Sequence, residues 1–503
     1  MADRHFDVLI VGAGISGIGA ACHLTRECPG KTYRILERRH AIGGTWDLFR
    51  YPGIRSDSDM YTFAYHFRPW GETKVLADGH KIKKYIEDTA AEYGVPEHID
   101  YGRTVLTADW SSADAQWTVV AKDEASGKTE TYTSRYLLGC TGYYNYDGGY
   151  RPFFPGEDRF QGQIVHPQHW PEDLDYAGKR VVIIGSGATT ITLVPAMAET
   201  AGHVTMLQRS PTYIIALPDD DTIAAAMRKA RIPEKVVYKV SRARNIALQR
   251  TFYQLTRRRP KVARKLVLGA VKRQLPPNVD IKHFTPAYNP WDQRLCVVPN
   301  GDLFKALRNG SASVVTDHIE SFTEHGIKLK SGDELPADII VTATGLDMQM
   351  MGGVHASVDG EPVVPRDRVV YKGVMLDGVP NAILVIGYTN ASWTLKADLA
   401  AEYFCRVIRH MDEHGYTTVV AEAQPDDRTD ESVMGAALTS GYIQRGNAVM
   451  PRQGRRKPWK VLNDYVRDAP VLRRGAIDDG VLKFGRAGAR PAKTAKKAAR
   501  SAG

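Results

Sequence analysis

Two βαβ units in one α/β chain, the second broken by a helical insertion, are predicted from three observations. The first is an internal repeat: FDVLIVGAGISG (6–17) and RVVIIGSGATT (180–190) are both short apolar strands running into a glycine-rich turn and a helix-like run. The second is length, because single cores stop growing at roughly 250–300 residues and a chain of 503 residues must divide. The third is the stretch 218–285, helix-rich and punctuated by Pro233, Pro260, Pro276 and Pro277, which interrupts the second unit.

In the first unit, Gly12, Gly14 and Gly17 supply a tight turn, a close backbone approach and a helix contact, the arrangement that seats a pyrophosphate on a helix N-terminus. Ser16 can donate to that pyrophosphate. The next strand, YRILERR, ends in Glu37, where a carboxylate accepts hydrogen bonds from ribose hydroxyls. In the second unit, Gly185 and Gly187 lie in the turn with Ser186, Ala188, Thr189, Thr190 and Ile191, and VTMLQRSPTY then places Arg209 and Ser210 at the position equivalent to Glu37. The sign is reversed. A carboxylate repels a 2′-phosphate and suits FAD or NAD, whereas a guanidinium welcomes the 2′-phosphate of NADP. Two Rossmann-like dinucleotide-binding domains follow, FAD first and NADPH second.

YLLGCTG (136–142) and DIIVTATG (338–345) match the strands on which such folds hand the chain onward. The expected organisation is an FAD domain at 1–145, a linker at 146–178, the NADP domain at 179–217 and 286–345 around the insertion at 218–285, an FAD-domain return with the C-terminal region at 346–484, and a disordered basic tail at 485–503.

Composition narrows the class. A hydrophobic content of 43% and a charged content of 25% are globular values. Cys22, Cys28, Cys140, Cys296 and Cys405 have no metal-binding spacing and no disulfide framework, so no metal is expected and a reducing, cytoplasmic setting suits them. The N-terminal apolar run is too short for a signal sequence or a span. The net charge of +10 is concentrated: residues 228–273 carry sixteen Lys/Arg against Glu234 alone. In KVARKLVLGAVKRQL, Val262, Leu266, Val267, Ala270 and Val271 share one helical face, and Lys261, Arg264, Lys265 and Lys272 share another. That pattern suggests reversible attachment to the inner face of an anionic membrane. No nucleic-acid partner is indicated, and the oligomeric state is not legible.

The most specific segment is FQGQIVHPQHWP (160–171), in which Phe160, Gly162, His166, Trp170 and Pro171 fit the pattern FxGxxxHxxxW(P/D). On that pattern the chain resembles the Baeyer–Villiger monooxygenases. RYPGIRSDSD, GYYNYD, HPQHWPEDLDY and YTNASWTLK extend the likeness to the mycobacterial ethionamide-activating group, its envelope-associated member above all. The resemblance implies that Thr45, Trp46, Asp47 and Leu48 of GGTWDL, together with Arg55, Ser56, Asp57 and the main chain of Val105, meet FAD. It implies a linker histidine, His166, that couples domain motion to NADPH placement. It makes Arg294 of YNPWDQRLC the catalytic cation beside the flavin, oriented by Asp57, supporting a C4a-peroxyflavin and then the adduct of a ketone. The expected substrates are small apolar ketones or sulfur compounds, with O2.

Two positions depart from the pattern. Thr190 stands where the first loop has Gly17, which should loosen helix–strand packing by about 1–3 kcal/mol. Gln293 stands where many relatives have Lys, which weakens the NADPH preference. Competing readings are a flavin-dependent N- or S-oxygenating monooxygenase and a non-enzymatic membrane-surface flavoprotein. A disulfide reductase lacks its cysteine pair beside the flavin.

Overall fold

The computed structural model describes residues 4–435 and 440–487. Two sheets organise it, the larger mixed around a parallel centre and the smaller all parallel. In the larger, His5–Val11 lies between Tyr33–Glu37 and Thr129–Gly139 and is parallel to both. Val8, Leu9 and Ile10 are fully buried, as expected of a strand covered on both faces. Ile99–Tyr101 continues the sheet beyond Tyr33–Glu37. On the other side the early part of Thr129–Gly139 pairs antiparallel with Gln116–Asp123, while its last residues pair with Ala382–Leu384, which returns from late in the chain.

Helix Ile15–Glu27 and the long helix Trp393–His414 pack together on this sheet, and their buried residues form one cluster with the strands. The second sheet runs Ala312–Thr316, His203–Gln208, Arg180–Ile184, Ile339–Thr342, Gln163–Val165, all parallel. Each glycine loop therefore leaves its sheet beside a neighbouring strand's exit. A Cβ on Gly12 would lie 2.8 Å from the Cys140 carbonyl oxygen, and one on Gly185 would lie 2.4 Å from that of Ala343. Glycine is dictated at both, since both also have positive φ, 102° and 144°.

Between the halves of the second sheet stand helices Thr222–Lys229, Glu234–Arg258 and Pro260–Lys272. They bridge the two folds. Arg242 is buried and donates to the carbonyls of Tyr61 (2.7 Å) and Ala64 (2.9 Å), while Asn245 and Gln249 donate to Asp59 beside the first fold. On the other side Arg264 donates to Tyr213 Oη (2.6 Å) and to the Tyr288 carbonyl (3.0 Å).

This corrects the expected amphipathic pattern. The face of Pro260–Lys272 that packs inward is Ala263, Val267 and Val271, one residue every turn, while Val262 and Leu266 are 50% and 58% exposed. The apolar residues are divided between core and solvent, and Arg264 belongs to the interior set. Some of the sixteen cations are also paired in place: Arg228 with Glu234, Arg244 with Asp221, Arg250 with Asp464 and Arg257 with Asp292. Gly485, expected to open the tail, instead ends a strand, Leu482–Gly485, that pairs with Thr418–Ala421; 488–503 lie outside the described residues.

Candidate active site

The helix Ile15–Glu27 starts at Gly14 with no side-chain cap, which leaves its first amides without intrahelical partners at the edge of a cleft of ≈ 280 Å³. Glycines shape that edge. A Cβ on Gly17 would lie 1.9 Å from the Gly12 carbonyl oxygen, and one on Gly44 would lie 2.9 Å from the Gly14 Cα, so two backbone segments stack with no side chain between them. Glu37 is 4% exposed and locks the turn: its carboxylate accepts from the Ala13 amide (2.6 Å) and the Arg39 amide (2.8 Å). Burial pushes its pKa up, and those two amides oppose the shift. Ser16 Oγ accepts from Trp393 Nε1 (2.8 Å), so the hydroxyl keeps its own proton to donate.

Glu37, Arg103, Thr104 and Val105 line the cleft, as do Thr45, Trp46, Arg55, Ser56 and Asp57. Arg55 is paired with Asp302 (2.8 Å), and Ser56 Oγ donates to the Ser58 carbonyl (2.8 Å). Arg294 reaches the cleft from the chain that follows the helical insertion. Its Nη2 donates to Tyr143 Oη at 3.4 Å, and its buried Nε has no partner among the described residues. The phenol of Tyr442 raises its pKa most; burial works the other way, and Tyr143, Tyr144 and Asp57 add to the rise, so the guanidinium stays charged.

The structure draws Asp57 and Arg294 to the same cleft but shows no hydrogen bond between them; the direct partner is Tyr143. Tyr143, Gln349, Tyr388 and Trp393 are cleft residues to which sequence reasoning assigned no role. The segments GYYNYD and YTNASWTLK were visible, yet nothing in their spacing says which aromatic faces inward.

Five of the expected residues have their side chains placed elsewhere. Asp47 is buried in ion pairs with Arg39 (2.6 Å) and Lys83 (2.8 Å); burial raises its pKa, but those bonds leave it lowered. Leu48 packs in the core of the second fold with Val181 and Ile183. Thr190 and Ile191 are 0% and 1% exposed, too deep for their side chains to meet a nucleotide. His166 is outside the cleft: its ring packs on Gly149, its Nδ1 accepts from the Gln168 amide (3.2 Å), and burial lowers its pKa. That is a position on the linker between the sheets.

The second loop is open. Gly187, Ala188, Arg209 and Ser210 are exposed, and Arg209 has no ion-pair partner among the described residues. Thr189 bonds to Tyr51, whose hydroxyl burial pushes up to about 12. Helix Ala188–Met197 likewise starts uncapped, at Gly187. The bulk of Thr190 has not parted helix from strand, since Ile191, Leu193 and Val194 of the helix still pack in one cluster with Val181 and Ile183 of the strand.

Away from the cleft, His23, His66 and Asp398 bring three potential ligand atoms within 4.8 Å, from segments no spacing rule joins. They form an ion-pair network. Burial opposes charge on His23, yet hydrogen bonds to Asp398 and Glu27 raise its pKa to about 9, and a protonated imidazole is no ligand.

The family described as flavin-binding monooxygenase-like matches residues 6–414. MymA of Mycobacterium tuberculosis, which carries the name FAD-containing monooxygenase, is 58% identical over 96% of this chain and 98% of its own. The FAD-containing monooxygenase EthA of the same organism is 53% identical over 96% and 98%. Among solved structures, an oxidised steroid monooxygenase bound to NADP superposes with a TM-score of 0.76 at 23% identity, covering 96% of this chain and 100% of that one. Cyclohexanone monooxygenase from Rhodococcus sp. Phi1, bound to NADP+, gives 0.74 at 19% over the same shares.

Proposed function

This chain belongs to the flavin-binding monooxygenase-like family, and from that premise we propose that it is an FAD-containing, NADPH-dependent Baeyer–Villiger monooxygenase. Its substrates are small apolar ketones, converted to esters, and sulfides or thiocarbonyls. The residues present fit the cofactors: uncapped helix starts, glycines whose Cβ atoms would fill the cleft edge, buried Glu37 at the ribose position and unpaired Arg209 at the other. Once bound, FAD reduced by NADPH supplies the activated oxygen.

The observation that carries the reading is Arg294, a charged guanidinium held in the cleft wall with an unpartnered Nε. A fixed cation there favours negative charge on the reacting oxygen atoms, an electrostatic effect worth roughly 3–4 kcal/mol. Tyr143 fixes one edge of the guanidinium, Asp57 adds a facing charge, and the second edge is left for the substrate oxygen. Trp393 and Tyr388 wall the cleft and limit water. His166 acts at a distance, as a joint between the two sheets.

The test is NADPH oxidation over a series of ketones, sulfides and amines, with product mass spectrometry. Ester from a ketone supports the proposal. Oxygenation confined to nitrogen or sulfur would replace it with the alternative flavin chemistry.

The protein also attaches to an anionic membrane surface in this reading. No helix among the described residues is long and apolar enough to span one. The supporting observation is an exposed set on the insertion, Ile223, Val236, Val240, Val262 and Leu266, next to Lys235, Lys239, Lys261 and Lys265, none of which has an ion-pair partner among the described residues. Each such cation near anionic lipid contributes about 1 kcal/mol. Wild-type protein should pellet with phosphatidylglycerol vesicles at low salt, and a Lys261→Glu, Lys265→Glu, Leu266→Ser variant should stay in solution. Equal behaviour of the two rejects the surface.

A further inference from the structure

Helix Ile15–Glu27 and helix Trp393–His414 run side by side in the same direction, joined by three rungs. At the cleft, Trp393 Nε1 donates to Ser16 Oγ. Midway, His23 Nε2 meets Asp398 at 3.4 Å. At the far end, Cys28, which closes the first helix, meets Cys405 on the second: the Cys28 thiol donates to the Cys405 carbonyl oxygen at 3.7 Å, and both side chains are buried in one cluster. A Cys28 sulfur within 3.7 Å of the Cys405 main chain puts the two residues side by side, and a turn of the Cys405 side chain is what a disulfide would need. Both are free thiols.

We propose that Cys28 and Cys405 form a peroxide-sensitive dithiol site whose oxidation to a disulfide clamps these two helices together.

The chemistry balances with hydrogen peroxide as oxidant. The Cys28 thiolate attacks one peroxide oxygen and releases hydroxide, leaving a sulfenic acid. Cys405 sulfur then displaces that hydroxyl and loses its proton. Two thiols and one peroxide become one disulfide and two waters. Cys28 is the thiol suited to begin. The hydrogen bond from Cys405 lowers its pKa most, burial opposes, and the Arg409 guanidinium lowers it further, while Cys405 is raised. By contrast burial pushes Cys22, Cys140 and Cys296 up to about 12, and no acidifying partner of comparable weight stands beside them. Access comes at the turn that follows Cys28, where Pro29 and Gly30 are exposed and a Cβ on Gly30 would meet nothing within 4 Å.

The bond would close a loop spanning most of the chain, and long loops are where a cross-link most restricts the unfolded state. Its effect should therefore appear as a raised unfolding midpoint, independent of what the cleft binds.

The experiment treats full-length holoprotein with a few-fold excess of hydrogen peroxide, blocks residual thiols, and digests with trypsin without reductant. The expected product links residues 27–31 to residues 397–406, weighs two hydrogen atoms less than the separate peptides, and disappears with a thiol reductant. The oxidised protein should unfold at a higher temperature than the reduced, and Cys28→Ser and Cys405→Ala should each abolish both the linked peptide and the shift. Cys28 recovered as sulfinic acid with Cys405 still alkylatable would overturn the proposal, as would both thiols emerging unmodified. The wild-type peptide map decides even if neither variant folds.

Discussion

In the first glycine loop, a single methyl on Gly17 would come within 1.9 Å of the Gly12 carbonyl oxygen; at the corresponding place in the second loop stands Thr190, wholly buried, with its hydroxyl 2.7 Å from where a Cβ on Gly185 would be. Glu37 ends the first unit buried and doubly hydrogen-bonded to backbone, while Arg209 ends the second exposed and, among the described residues, unpaired. Two copies of one supersecondary plan thus differ in how tightly they close. The first is over-determined and sits beneath a walled cleft, as befits a cofactor that stays. The second is left open on the surface, which suits a coenzyme that exchanges.

The largest effect is expected where closure is tightest. Gly17→Ala places its methyl against backbone that cannot yield, so the turn must open and Glu37 must lose its amide bonds. The purified variant should carry no flavin, read directly from its visible absorbance, and should unfold earlier than wild type. A yellow, fully active Gly17→Ala protein would erase the contrast between the loops.

Next comes the residue that crosses from the second fold into the first fold's cleft. Arg294→Ala removes a charge that neither loop depends on, so both dinucleotides should bind and hydride transfer should persist, while ester formation falls about 10²–10³-fold. Stopped-flow spectra of the two half-reactions separate these outcomes. A parallel loss of flavin reduction would mean that Arg294 serves NADPH placement instead.

These contrasts indicate how far sequence alone reaches. The paired glycine loops and the sign reversal between Glu37 and Arg209 were legible because backbone geometry and charge are written locally. Burial was not. Thr190 and Ile191 belong to a turn whose pattern names them as nucleotide contacts, but helix phase turns both into the core. Asp47 adjoins Trp46 in sequence and is drawn away from the cleft by Arg39 and Lys83, the second from a helix some 36 positions on. Tyr143 went unassigned because its partner, Arg294, is 151 residues distant. The apolar face of Pro260–Lys272 looked continuous on a helical wheel, and only the position of its neighbours decides which part is covered.

The open end of the second loop gives an intermediate effect. Arg209→Ala should raise the KM for NADPH about 10–100-fold, as expected for loss of one charge-assisted contact to a phosphate, with little change for NADH. Because Arg209 is exposed and unpaired, stability should not move. Equal loss with both coenzymes would mean that the residue supports the loop and not the 2′-phosphate.

The smallest effect belongs to Thr190 itself. Its hydroxyl is buried with no hydrogen-bond partner, a state that costs about 1–3 kcal/mol where the group cannot reach water. Thr190→Ala removes that hydroxyl together with one methyl, and the methyl's lost packing, about 1 kcal/mol, nearly offsets the gain. The two terms have opposite sign and similar size, so the unfolding midpoint should shift by no more than a few degrees and the KM for NADPH should stay within about twofold. Thr190→Gly is the sharper probe, because it restores the small residue of the first loop but adds backbone freedom at a helix's first turn, at roughly 0.5–1 kcal/mol. If the second loop is open because coenzyme exchange requires it, neither substitution should convert it into a tight site. A Thr190→Gly protein that retained NADP+ through gel filtration, as the first site retains its flavin, would show that this one side chain sets the difference between the loops.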